Sequence, residues 1–363
     1  MRSATDSNNR AQRSVPLKLF FAMTVAIVTL VTILAQPFVA SATGTRSNSV
    51  WRVATTNTQP AYLNAVACPS TSDCIAVGDG IIATTTNGGR TWTSENPVDE
   101  GVDVLSAIAC PSTSDCTAVG YGIISTTNGG RTWTRESLPY GVNIFNAVAC
   151  PSTSDCTAVG YDIISTTNGG RTWKKEKPPL GMSEGNAITC PSISHCMATG
   201  SGKYTNNATF ATTNGGRTWR RGRFPYRSFP LFSIACHSIS HCIAVGSNNI
   251  FITTNRGHTW GSPISVTGAT FYNVTCHFSH CIAVGLDTNN KNGIMNGIAT
   301  TTTNGGRTWK RRIFHWGFLR LNAVACSSNS HCTAAGWNNK GRGIIIATTN
   351  GGRTWRREAS LLG

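Results

Sequence analysis

The sequence predicts an all-β chain, a seven-bladed β-propeller of four-stranded antiparallel blades with one disulfide per blade. Three observations carry that expectation. An eight-residue phrase, Thr-Thr-Asn-Gly-Gly-Arg-Thr-Trp in its commonest form, recurs seven times and ends at Trp92, Trp133, Trp173, Trp219, Trp260, Trp309 and Trp355. Fourteen cysteines fall into seven local pairs, one per copy. Between them lie short alternating runs broken by Gly, Asn, Ser and Pro, in a chain only 13% charged. A period of roughly 40 residues is the length of one blade of four short strands. No single blade buries its own faces, so the repeats argue for one domain.

The third repeat serves as template. Phe145-Asn-Ala-Val-Ala-Cys150 alternates and is expected to be the inner strand, A. Pro151-Ser-Thr-Ser-Asp155 is a turn, and Cys156-Thr-Ala-Val-Gly160 is strand B. Ile163-Ile-Ser-Thr-Thr167 is strand C. Asn168-Gly-Gly170 is the next turn, its glycines supplying positive φ. Arg171 to Glu176 is the outer strand, D. The Asn side chain and Thr hydroxyls are suited to bond the turn backbone, and the Trp to bury a face between blades while its N–H finds a partner.

The cysteine pairs are Cys68/Cys74, Cys110/Cys116, Cys150/Cys156, Cys190/Cys196, Cys236/Cys242, Cys276/Cys281 and Cys326/Cys332. Six are C-x5-C, and the pair ending at Cys281 is C-x4-C. An even count paired locally reads as disulfides closing the A–B hairpins. Zinc is disfavoured because each pair stands alone, without a second pair at knuckle spacing. Residues 1–42 have the order of a signal peptide. Arg2, Arg10, Arg13 and Lys18 precede an apolar run from Leu19 to Ala35, followed by Pro37 and Ala40-Ser41-Ala42. Cleavage after Ala42 is expected, which makes the protein secreted or resident in the cell envelope. The other reading is a membrane anchor formed by residues 19–35. Residues 43–61 are then an N-terminal segment and residues 62–360 the propeller. Ser49 to Ala54 is in phase as a further outer strand, because Trp51 precedes Cys68 by the interval that separates Trp133 from Cys150. It is expected to take part in ring closure, with Arg353 to Arg357 as the competing strand.

The recurring phrase matches the Asp-box (BNR-like) pattern S/T-x-D/N-x-G-x-T-W, with Asn87, Asn128, Asn168, Asn214, Asn255, Asn304 and Asn350 at the usual Asp position. Asp-box repeats occur in sialidases, sortilin-type receptors and photosystem II assembly factors. Seven evenly spaced boxes most resemble the seven-bladed photosystem II assembly and stability factor-like group, over nearly all of the chain after the leader. That resemblance implies a binding or assembly scaffold. The cysteine pairs depart from the group and point to an exported branch. Similarity to sialidases is confined to the shared repeat. Their Phe/Tyr-Arg-Ile-Pro motif is absent, and Phe224-Pro-Tyr-Arg227 holds similar letters in another order.

Removing the repeat-borne acids leaves Asp79, Asp99, Glu100, Asp103, Asp162, Glu184 and Asp287, all in B–C or D–A connections. Those connections share one face of a propeller. A glycosidase needs two carboxylates at roughly 5–10 Å. No pair is singled out by spacing, so no catalytic residue, metal or cofactor is assigned. The same face carries insertions at Ser201 to Asn207, Asp287 to Gly293 and Trp337 to Arg342, and the off-repeat residues Tyr226, Arg227, His315 and Trp316. Lys203, Tyr204, Tyr226, Arg227, Trp316, Trp337 and Arg342 are the candidate ligand-binding residues.

Charge is uneven along the chain. Residues 43–181 carry a net charge of −2 and residues 182–363 carry +15. Arg220, Arg221, Arg223, Lys310, Arg311, Arg312, Arg356 and Arg357 follow the box tryptophans, where charge also deters edge pairing. His195, His241, His280 and His331 replace the aspartates that precede the second Cys in the first three repeats. Equivalent positions in a ring lie well apart, so the four histidines read as divergence between two groups of blades rather than a shared metal site. The expected partner of this monomeric chain is a protein or an anionic envelope polymer, with peripheral contact to a membrane surface. Nucleic acid is disfavoured, because no reading motif is present. The function expected is an exported binding or assembly scaffold acting through loops of blades 4–7. The alternative is a carbohydrate-binding or glycoside-hydrolase propeller using the same face.

Overall fold

The computed structural model describes residues 61–95, 101–202, 205–224, 230–289, 295–317 and 319–361. The expected leader and the strand expected around Trp51 fall outside them. The first sheet holds β1 (Leu63–Ala67), β2 (Cys74–Gly78), β3 (Ile81–Thr85) and β4 (Thr93–Glu95). The second holds β5 (Leu105–Ala109), β6 (Cys116–Gly120), β7 (Gly122–Thr126) and β8 (Thr134–Arg135). The third holds β9 (Phe145–Ala149), β10 (Cys156–Gly160), β11 (Ile163–Thr166) and β12 (Lys174–Glu176). The fourth holds β13 (Met182–Thr189), β14 (Cys196–Gly202), β15 (Thr205–Thr212) and β16 (Arg220–Arg221). A fifth, six-stranded sheet holds β17 (Leu231–Cys236), β18 (Cys242–Thr253), β19 (Ile264–His277), β20 (His280–Asp287), β21 (Asn296–Thr302) and β22 (Lys310–Phe314). The last holds β23 (Leu319–Cys326), β24 (Cys332–Asn338), β25 (Gly343–Thr348) and β26 (Arg356–Leu361). All the ladders within these sheets are antiparallel.

The described residues therefore form six sheets, in place of the seven separate blades that the repeat count predicts. The reason is local. Ile264 and Ser265 of β19 pair with Ile250 and Asn249 of β18, as the outer strand of one repeat. Ala269 to His277 of the same strand pair with β20, as the inner strand of the next. Gly268, at φ 71°, joins the two halves, and its N–H donates to Asn248 Oδ1 at 2.9 Å. No loop interrupts the ladder, so two repeats share one sheet. The inner strands still contact one another in ring order: β1 on β5, β5 on β9, β9 on β13, β13 on β17, β17 on β19, β19 on β23, and β23 on β1. The architecture is an all-β propeller. Of the strand expected at Arg353 to Arg357, only Arg356 and Arg357 are extended, opening β26, the outer strand of the last sheet.

Seven disulfides join the predicted pairs, and no described cysteine is free. Where the strands run through the cysteines, the partners are register partners, as in Cys236 with Cys242, Cys276 with Cys281 and Cys326 with Cys332. The pair ending at Cys281 has the shorter spacing and still closes its hairpin, because β19 and β20 stay paired as far as His277 and His280. Although they stand at hairpin necks, Cys281 and Cys242 are fully buried, with no exposure to solvent. Cys281 packs with Val245, Phe271, Val274 and Ile298, so its sulfur belongs to the apolar core and is closed to any ligand. The second Cys of a repeat opens strand B, whose side chains are buried between neighbouring sheets, and a small apolar sulfur fits there. Such a set of disulfides fits an oxidising, extracytoplasmic environment.

The turn that each disulfide closes is held by serines in most repeats. Ser70 Oγ accepts from the N–H groups of Ser72 and Asp73, while Asp73 Oδ2 accepts from the Ser70 and Ser72 hydroxyls. His195 and His331 occupy the Asp position with Nδ1 within 2.9–3.3 Å of the same two serine hydroxyls. Either a carboxylate oxygen or an imidazole nitrogen can meet the two hydroxyls there.

The recurring phrase forms the same hydrogen-bond lock in every repeat. In the first, Thr85 Oγ1 donates to Asn87 Oδ1 and accepts from Gly89 N–H, while Asn87 accepts from Thr91 N–H and donates through Nδ2 to Thr91 Oγ1. Thr302, Asn304, Gly306 and Thr308 repeat the pattern. The amide both accepts and donates, so Asn serves where the pattern usually has Asp. The tryptophans depart from expectation. Trp260 Nε1 donates to Thr209 Oγ1 at 2.9 Å, but the indole N–H groups of Trp92, Trp173, Trp219, Trp309 and Trp355 are buried without an acceptor. Their rings are placed by packing area, and the N–H goes where the ring goes.

Adjacent sheets meet through apolar clusters. Ile75 and Ile82 of the first sheet pack with Leu105, Ile124 and Trp133 of the second. Leu63, Val66 and Ile81 pack with Ala323, Ala335 and Ile345 of the last sheet, closing the ring. The second glycine of the phrase sits in this joint. A Cβ on Gly306 would stand 2.7 Å from Ile252 Cδ1, one on Gly130 3.1 Å from Ile75 Cδ1, and one on Gly352 2.6 Å from Thr301 Cγ2. All three have φ between 82° and 92°, so both space and backbone demand glycine. The first glycine of the phrase is Arg256 in the fifth repeat, held at φ 59°.

Three outcomes follow from this packing. Gly306→Ala loses about 2–4 kcal/mol in denaturant unfolding, from overpacking and a left-handed backbone together. Arg256→Gly gains about 1 kcal/mol in the same assay, because a side chain leaves a left-handed position. Burial, and secondarily the nearby His277, holds His280 below the ordinary imidazole pKa of 6.5. As pH falls through 6.5 the unfolded chain is protonated at this site before the folded one, so stability is full above that value and declines below it. Melting temperatures at pH 8 and pH 5 report the decline, and His280→Gln makes it smaller.

Candidate functional site

The residue four before the first Cys of a repeat is Asn in four of them, and these asparagines stitch the ring. Asn64 Nδ2 donates to Leu105 O at 3.0 Å, Asn146 to Gly185 O at 2.9 Å, Asn186 to Leu231 O at 3.1 Å and Asn322 to Leu63 O at 2.8 Å. Each bond crosses to the inner strand of the following repeat. The fifth and sixth repeats have Phe232 and Tyr272 at that position. The stitch moves one residue along, where Ser233 Oγ accepts from Val274 N–H and Asn273 Oδ1 accepts from Val324 N–H.

The freed positions build an aromatic arc at the inner rim. Phe232 and Tyr272 lie with ring centroids 5.8 Å apart. Arg320 places its guanidinium carbon 4.1 Å from the Tyr272 ring centre and 5.8 Å from that of Trp337. Trp337 meets Tyr62 edge-to-face at 5.0 Å. Arg320 and Trp337 are register partners on β23 and β24. Arg320 Nε donates to Asn322 Oδ1 at 2.9 Å, so the asparagine that closes the ring also orients the guanidinium. No carboxylate among the described residues pairs with Arg320. A guanidinium held against aromatic rings in a fixed orientation has the chemistry to receive a planar anionic group.

A second cationic cleft lies beside the end of β26. It has a volume of about 300 Å³ and is lined by Trp316, Asn338, Lys340, Arg342, Arg357 and Ser360, among others. Trp316 is 41% exposed, packs on Phe314 at 5.0 Å and carries the Arg357 guanidinium 5.8 Å over its ring. Of the sequence-predicted binding residues, Trp316 and Arg342 thus share this cleft. Trp337 belongs to the inner arc, one residue away from the cleft's Asn338. Lys203, Tyr204, Tyr226 and Arg227 lie outside the described residues. The sequence reading missed Tyr62, Phe232, Tyr272 and Arg320. The signal was present, since Phe232 and Tyr272 break a pattern of Asn64, Asn146, Asn186 and Asn322 when repeats are aligned on their first Cys.

Four of the off-repeat carboxylates have partners of their own. Asp162 pairs with Lys175 at 2.8 Å, and Asp287, buried, with Arg311 at 2.6 Å. Glu184 accepts from Asn146 at 2.9 Å and Asp79 from Asn64 at 2.7 Å. Burial raises the Asp79 pKa above the ordinary carboxylate value, and the Asn64 hydrogen bond opposes that. Among the described residues no three or more His, Cys, Asp or Glu side chains gather as a metal-binding group. The outer-strand cations Arg220, Arg221, Lys310, Arg311, Arg312, Arg356 and Arg357 lie on β16, β22 and β26 and are exposed.

No family model matches the sequence, and no curated protein matches it. Solved structures resemble it in fold. One is described as YCF48 bound to D1 peptide, with 16% identity over 69% of this chain and 80% of that one, at a TM-score of 0.51. A GH74 xyloglucanase from Xanthomonas campestris matches at a TM-score of 0.61 with 12% identity, over 83% of this chain and 55% of the enzyme, so the chain spans about half of that protein. U3-55K matches at a TM-score of 0.58 with 8% identity, over 76% of this chain and 88% of that one. At these identities the likeness is one of fold: the chain is a β-propeller.

Proposed function

We propose that this protein is an exported binding or assembly scaffold whose inner rim and adjacent cleft engage an anionic segment of an envelope protein. In this reading the leader is removed after Ala42 and the seven Asp-box repeats are the structural frame. The observation that carries the proposal is Arg320, stacked on Tyr272 and near Trp337, oriented by Asn322 and without a carboxylate partner among the described residues. A guanidinium so fixed loses little rotamer freedom on binding a carboxylate by two parallel bonds, and flanking rings supply apolar contact. Lys340, Arg342 and Arg357 in the neighbouring cleft extend the cationic surface outward. That a propeller of similar fold is solved with a bound peptide supports a protein partner.

The alternative is a carbohydrate ligand or a glycoside-hydrolase activity on the same face. The Tyr62–Trp337 pair favours it, since apolar sugar faces stack on such rings. Affinity capture with the oxidised protein from its own cell envelope, eluted by a salt gradient and analysed for protein and sugar, separates the two. A specific protein in the eluate supports the scaffold, and polysaccharide alone supports the alternative.

Arg320→Ala and Trp337→Ala each reduce capture by at least about tenfold, the loss expected at an anchoring position, while the disulfide-linked fold persists by circular dichroism. Undiminished capture places the partner elsewhere. Asn322→Ala is expected to weaken capture and also to cost about 1–2 kcal/mol in unfolding, because it leaves Leu63 O without its donor.

A further inference from the structure

The turn that closes the fifth repeat reads Cys236-His-Ser-Ile-Ser-His-Cys242, with a histidine inside each cysteine. The disulfide and the strand register tie the two ends together, and His237 N–H donates to His241 O at 3.2 Å. The imidazole rings stand 4.4 Å apart at an interplanar angle of 38°. Both Nε2 atoms face Gly305 in the turn of the next repeat. A Cβ built there would lie 3.6 Å from His241 Nε2 and 3.8 Å from His237 Nε2. The missing side chain leaves the space that both nitrogens address. His241 Nε2 lies 3.3 Å from Gly305 O, and His237 Nε2 is buried without a hydrogen-bond partner.

We propose that His237 and His241 form a two-imidazole site for a divalent transition ion of the zinc, nickel or copper class, on the disulfide-turn face of the ring. Imidazole nitrogens suit these ions, and the Gly305 carbonyl is at hand as an oxygen donor, with water completing the shell. The disulfide supplies what a flexible pair lacks, a backbone fixed before the ion arrives. The sixth repeat provides the contrast. His277 and His280 lie just inside the Cys276–Cys281 disulfide, but His277 Nδ1 lies 3.1 Å from Asn329 Oδ1 while His280 packs against Gly351. Those two rings address different neighbours and form no chelate.

The test is calorimetric titration of the oxidised full chain with zinc chloride and, separately, nickel chloride at pH 7.5. Saturable binding of one ion is expected, with His237→Gln and His241→Gln each weakening it by at least about tenfold and His277→Gln leaving it unchanged. Zinc is also expected to raise the melting temperature of the unmutated protein but not of the His237→Gln/His241→Gln double variant. Absence of saturable binding to the unmutated chain overturns the proposal. So does equal binding by the double variant, which would assign the ion to other histidines.

Discussion

Everything in this ring depends on how closely one sheet can approach the next, and that distance is set by a glycine. The second glycine of the recurring phrase lies in the joint with the preceding sheet, as Gly130 does against Ile75, while Gly306 plays the same part between the two repeats of the fifth sheet, against Ile252. A side chain at these points would force the packed layers apart, and the tryptophans beside them would lose their seats. The Thr–Asn–Thr lock around each glycine holds the positive φ that lets the bare backbone face the joint. The phrase is therefore less a motif within one repeat than the contact surface between two.

This explains what the sequence made legible. Disulfides, turns and strand order depend on residues a few positions apart, and local spacing such as Cys68 to Cys74 displays them directly. Spacing does not display depth, which is why Cys281 pairs as expected yet lies in the core beside Phe271. The number of sheets depends on whether a connection breaks the ladder, and that turns on how Asn248 and Gly268 join β18 to β19. No repeat pattern announces such a junction. The tryptophan N–H groups illustrate another limit, since the expectation that each finds an acceptor holds for Trp260 but not for Trp92 or Trp173.

The candidate site was half legible. Insertions and off-repeat charges drew attention to Trp316, Trp337 and Arg342, and Trp316 and Arg342 line one cleft. Tyr62, Tyr272 and Arg320 sit within or beside alternating inner strands, where an aromatic residue reads as core. Their place at the rim follows from the ring, because only closure turns one side of the inner strands into a rim. The link is physical as well as geometric. Arg320 is held by Asn322, and Asn322 by the carbonyl of Leu63 across the closing joint. A change in how the ring closes would therefore reach the guanidinium within two hydrogen bonds.

The serine cradle at the disulfide turns has an implication of a different kind. Asp73 and His195 occupy equivalent cradles and meet the same pair of serine hydroxyls, one through a carboxylate oxygen and the other through an imidazole nitrogen. The cradle specifies a polar atom within reach of two hydroxyls and accepts either side chain. One face of the ring is thereby a place where successive repeats can exchange a carboxylate for an imidazole while each hairpin keeps its shape. Part of the polarity between the two halves of the chain is written there, in the scaffold itself.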